Sequence, residues 1–86
     1  MHPALFTLVL AYARDLRLLA RPRRLRQLYE ELGFSIGERQ LRNHREWLLE
    51  REYIVLYVSR WGPRVVLTEK GERLLRALGL LKGERA

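Results

Sequence analysis

The chain has 86 residues, 48% of them hydrophobic and set at regular spacings, which excludes a second independent core and an intrinsically disordered chain. It has no cysteine, so neither disulfides nor thiolate-bound zinc can supplement so small a core, and an intracellular, cytoplasmic setting fits. Seventeen basic against ten acidic residues give a formal charge of +7, which points to a polyanionic partner.

The excess is uneven. Residues 1–13 carry no charge, residues 14–45 hold nine Arg and four acids, and residues 46–86 hold eight basic and six acidic side chains. Arginine presents a planar fork suited to phosphate and to guanine edges. The same usage also arises in GC-rich or heat-adapted genomes, so composition alone does not choose. The apolar start ending Ala11-Tyr12-Ala13 imitates a secretory cleavage site, but no Lys or Arg precedes it. It is also short of the ~20 apolar residues that a membrane span needs.

Leu5, Leu8, Val9, Tyr12, Leu16 and Leu19 recur at spacings of three and four, predicting an amphipathic helix over 3–20. Phe6, Leu10 and Leu18 widen its stripe. Pro22 suits the first position of a second helix, over 22–32, with Leu25, Leu28, Tyr29 and Leu32 on one face. Gly33 reads as its left-handed stop, after which Phe34 folds back. Ser35 and Glu38 read as a capping box opening a third helix over 36–51, with Leu41 and Leu48 inward. Tyr53 to Ser59 has strand composition, Arg60-Trp61-Gly62-Pro63 carries turn signals, and residues 64–67 return as a second strand. Thr68 caps a last helix over 69–78 that Gly79 stops, with a tail to Ala86 that is frayed or packed on a partner.

Two helices joined by a tight glycine-containing turn, the second carrying Arg and Asn outward, form a helix-turn-helix pattern. The expected fold is α+β, mainly α: a single domain over 1–86 with three helices, a two-stranded hairpin and a C-terminal helix. On the third helix Arg39, Gln40, Arg42, Asn43 and Glu46 face out. Arg pairs with guanine and Asn or Gln with adenine by bidentate bonds in the major groove.

The stretch from Ser35 to Ile54 resembles the recognition helix and first strand of winged helix-turn-helix regulators. Leu67-Thr68-Glu69-Lys70-Gly71-Glu72-Arg73-Leu74-Leu75 is similar to the segment in which PadR-like and MarR-like domains end the wing and begin the next helix. The chain departs from that pattern at Arg45, where a Leu is usual, and at Glu52, where a Gly is usual. The resemblance implies a wing on the DNA backbone or minor groove, flanked by Arg60 and Arg64. Arg21, Arg23 and Arg24 begin the second helix, where free backbone N–H groups also favour phosphate. Ser35 and His44 complete the expected backbone contacts.

The expected function is a sequence-specific double-stranded DNA-binding regulator. It would act as a homodimer seamed by Phe6, Leu10, Leu18, Leu80 and Leu81. An ordinary solvated helix face is the competing account of Arg39, Arg42 and Asn43, as an i,i+4 pair with Glu30 is for Arg26. Two further readings stand beside the regulator: a winged helix used for protein–protein contacts through Trp47, Trp61 and the tyrosines, and a plasmid or phage replication accessory factor. No catalytic triad, phosphate-cradling glycine loop or metal-ligand spacing is present, so neither an enzyme nor a cofactor or metal is expected.

Overall fold

A computed structural model describes residues 1–81. The fold is α+β and mainly helical: α1 Pro3–Arg14, a 3-10 turn Leu16–Ala20, α2 Pro22–Glu31, α3 Glu38–Glu50, β1 Ile54–Ser59, β2 Gly62–Leu67 and α4 Glu69–Ala77. The expected tail lies mostly at 82–86, outside the described residues. No helix among the described residues is long and apolar enough to cross a membrane.

One core joins every helix to the hairpin. Ala4, Leu8 and Ala11 of α1 meet Leu19, Leu25 and Leu28, Leu41 and Leu48 of α3, Ile54 and Val65 of the hairpin, and Leu75 of α4. Leu41 and Leu48 therefore hold the inward positions their spacing predicts.

The long first helix is not continuous. It stops at Arg14, and Asp15 turns to extended backbone (φ −168°, ψ 117°). Its carboxylate accepts from the backbone N–H of Arg17 and grips the Arg17 guanidinium at 2.8 Å. The carboxylate has a better use as a cap for the next turn than inside a helix, because Asp competes with helical backbone bonding.

The ends of α2, α3 and α4 follow one plan. At α2, Gly33 (φ 88°) donates its N–H to the Glu30 carbonyl and Phe34 to the Tyr29 carbonyl, a Schellman motif closed by contact between the Phe34 and Tyr29 rings. Gly79 and Leu80 repeat it after α4, so that helix ends at Ala77. Glu52 and Tyr53 repeat it after α3, with Glu52 itself left-handed at φ 61°. The residue that departs from the family pattern thus keeps the geometry a glycine would adopt.

The start of α3 corrects the capping-box reading. Gly37, not Ser35, is the N-cap, no side chain caps the helix, and Ser35 stays exposed in the connection. The Glu38 carboxylate is taken by arginines instead.

The hairpin is also longer than expected. Ser59 pairs with Gly62 across a two-residue Arg60-Trp61 loop, so Gly62 and Pro63 belong to β2, and β1 begins at Ile54 rather than Tyr53. Gly62 takes φ 109° to make so tight a turn. Pro63 stands opposite Val58, in a two-stranded sheet where both strands are edges and a proline is tolerated.

Thr68 pegs α4 to the rest. Its hydroxyl caps the helix by accepting from the Gly71 N–H and donates to the Glu52 carbonyl, and its own N–H reaches the Tyr53 carbonyl at 3.1 Å. Gly71 lies against that same carbonyl: a Cβ there would stand 2.2 Å from Tyr53 O and 2.8 Å from Leu67 Cδ1. The glycine in the Leu-Thr-Glu-Lys-Gly segment is thus a packing requirement.

Candidate nucleic-acid interface

Successive residues of a helix are about 100° apart, so burying Leu41 and Leu48 decides where every other α3 side chain points. Arg39, Asn43, Glu46 and Glu50 stand opposite the core. Arg42 and Glu38 lie on the flank beside α2, and Gln40 and Trp47 on the flank beside the start of α1. Arg39, Gln40, Arg42, Asn43 and Glu46 are all exposed, as their spacing predicts. Among the described residues the unpaired cation and the amides occupy the N-terminal half, while in the second half Glu46 pairs with Arg45 at 3.9 Å and Glu50 with Arg51 at 3.8 Å.

Arg39 has no ion-pair partner among the described residues. Arg42 lies 3.7 Å from Glu38, and Glu38 is also 3.7 Å from Arg26 of α2. Arg26 reaches Glu30 at 3.7 Å as well, the i,i+4 pair foreseen in the sequence. Arg45, where a Leu was usual, lies down against the 3-10 turn with its Nη1 3.5 Å from the Leu19 carbonyl. Trp47 and Leu49 are partly buried and pack against the core.

A second basic cluster forms where α2 begins. Arg21, Arg17 and Arg64 line a cleft of about 390 Å³ with Asp15, Trp61 and Pro63. A neighbouring hollow of about 150 Å³ adds Arg24. Asp15 is the one acid in both, and the Arg17 hydrogen bonds hold its carboxyl below the usual carboxylate range. The structure therefore joins Arg21 and Arg24 with Arg64, more than 40 positions along the chain. Arg23 is exposed but lines neither hollow, and Arg60 sits over the Trp61 ring at 5.8 Å.

His44 does not face outward with the arginines. Its Nδ1 is 2.8 Å from the Thr7 hydroxyl, which in turn bonds the Tyr29 hydroxyl, so α1, α2 and α3 share one buried polar chain. Desolvation, with a smaller contribution from His2, lowers the His44 pKa, and burial raises that of Tyr29. A consistent arrangement has Tyr29 donating to Thr7 and Thr7 to His44 Nδ1, which uses both hydroxyl protons and leaves the imidazole proton on Nε2. As a phosphate contact His44 thus has one ring nitrogen, Nδ1, already spent inward. The sole polar side chain amid the apolar residues of α1, Thr7, was the sequence signal for this cluster.

His2 was also missed. Its Nδ1 accepts from the Ala4 N–H to cap α1, and its ring stacks on Trp47 at 3.9 Å. Trp47 also carries the Arg51 guanidinium at 4.4 Å, so it is committed to intramolecular contacts.

The five residues expected to form a dimer seam do not make one bare stripe. Phe6 and Leu80 are exposed, at 41% and 39%, but Leu10, Leu18 and Leu81 pack against the core. Phe6 instead groups with Phe34 and Tyr29, their rings 5.7 to 6.0 Å apart. Among the described residues no His/Asp/Glu group has the form of a metal site. No protein-family model, curated protein or solved structure matches the chain.

Proposed function

We propose that the chain is a winged helix-turn-helix module that binds double-stranded DNA and acts as a sequence-specific regulator. The observation that carries this reading is the presence of two basic surfaces: the N-terminal half of α3, where Arg39 has no ion-pair partner among the described residues, and the arginine-lined cleft between the 3-10 turn and the hairpin. In this reading α3 enters the major groove, Arg39 bonds guanine, and Asn43 and Gln40 bond adenine. Arg21, Arg24 and Arg64 meet backbone phosphates and set the register. One module offers few base contacts, so two copies on a two-fold site are part of the proposal.

Fluorescence anisotropy of labelled random-sequence duplex over a salt series tests it. A protein that neutralises about five phosphates gives a log–log salt slope of about −4.5. Arg39→Ala with Arg42→Ala weakens binding, and changing Arg21 and Arg64 flattens the slope. No binding at low salt would refute the reading. The ring cluster of Phe6, Tyr29 and Phe34 with half-exposed Leu32 beside it then favours a protein-binding module.

A further inference from the structure

We infer that Glu38 is an internal phosphate mimic: in the free protein it holds Arg42 and Arg26 away from DNA, and so limits non-specific affinity. The inference rests on the duplex-binding reading above. Glu38 opens α3, the position where a phosphate would also meet the free N–H groups of the helix start. Its two oxygens are divided, Oε1 toward Arg42 and Oε2 toward Arg26, as the oxygens of a backbone phosphate would be. It is the least exposed partner of the three, with 29% of its side chain accessible against 53% for Arg42.

The grip is loose enough to exchange. Both pairs stand at 3.7 Å, beyond hydrogen-bond length. Exposed pairs of this kind contribute little to stability. Arg42 therefore leaves Glu38 when DNA offers a well-placed acceptor and stays when it does not. Arg39, on the outward face with no acid partner among the described residues, is available to any duplex. The two arginines thus differ: Arg39 contacts any sequence, whereas Arg42 engages only where the fit is close. Glu38 acts as a positioning residue through Arg42.

The test is a double-mutant cycle on random duplex DNA, read as the salt slope of binding. Glu38→Gln steepens the slope by about 1 to 2, since each freed arginine adds ~0.9. Arg42→Ala removes ~0.9 from the slope in the Glu38→Gln background and much less in the wild type. Equal losses in both backgrounds would overturn the inference while leaving the duplex-binding reading intact. Absence of binding by wild type and Glu38→Gln alike would remove both. Thermal melts confirm that each variant is folded, and Glu38→Ser serves in place of Glu38→Gln if that variant melts below assay temperature.

Discussion

Replacing Gly71 by Ala sets two effects of opposite sign against each other. Gly71 sits in the first turn of α4, where alanine is the better helix former by ~1 kcal/mol. The added methyl would lie 2.2 Å from the Tyr53 carbonyl oxygen, and a backbone atom cannot swing aside as a side chain can. Relief requires α4 to withdraw by about 1 Å, the gap between that distance and an ordinary carbon–oxygen contact. The move strains the Thr68 bonds to Glu52 and Tyr53. Overpacking costs ~1–3 kcal/mol and a weakened hydrogen bond about 1 kcal/mol more. The net prediction is a destabilisation of about 2 kcal/mol, or a melting temperature lower by roughly 8–16 °C in a domain of this size. Circular dichroism melts and urea midpoints measure it. An unchanged or higher midpoint would refute the packing argument, because that is the sign helix propensity alone gives.

Glu52→Gly should stabilise the fold by about 0.5–1 kcal/mol, because φ 61° strains any residue with a Cβ; a lower urea midpoint would count against it. Thr7→Val, which leaves the Tyr29 hydroxyl and His44 Nδ1 facing each other without a bridge, should cost about 1–3 kcal/mol in the same assay. His44 has its pKa lowered in the fold, so the unfolded chain binds its proton more readily. Stability is therefore complete above the ordinary histidine pKa and falls as pH drops below it toward the folded value. Melts between pH 7.5 and 5.5 should show that decline, and His44→Gln should reduce its slope; equal slopes would refute the assignment.

What the sequence made legible was whatever is encoded within one or two helical turns. Pro22, Gly33, Thr68 and Gly79 mark ends by their own backbone preferences. Leu41 and Leu48 fix the phase of α3, and with it the outward set from Arg39 to Glu46. Asp15 escaped notice because Leu16 and Leu19 continue the spacing of three and four after the chain has left the helix. Ser35 misled because Glu38 had better partners in Arg26 and Arg42, one on another helix. The basic cleft was half legible: Arg21 and Arg24 announce a helix start, but only the return of β2 places Arg64 beside them. His44 looked outward by its neighbours in sequence and is turned by Thr7, a contact 37 positions away.

The left-handed stops after α2 and α3 bear on how the chain tolerates change. Each is written in six consecutive residues and held by two short-range backbone bonds, so the place where the helix ends is set locally. A substitution inside the core can alter how closely two helices approach, but it leaves untouched the residue at which each one ends. The stops set where α2 and α3 end, whereas the aim of Arg39 and Asn43 follows from the burial of Leu41 and Leu48. One residue inserted in the largely exposed connection between Gly33 and Gly37 would therefore be taken up by that loop and leave the outward face of α3 in place.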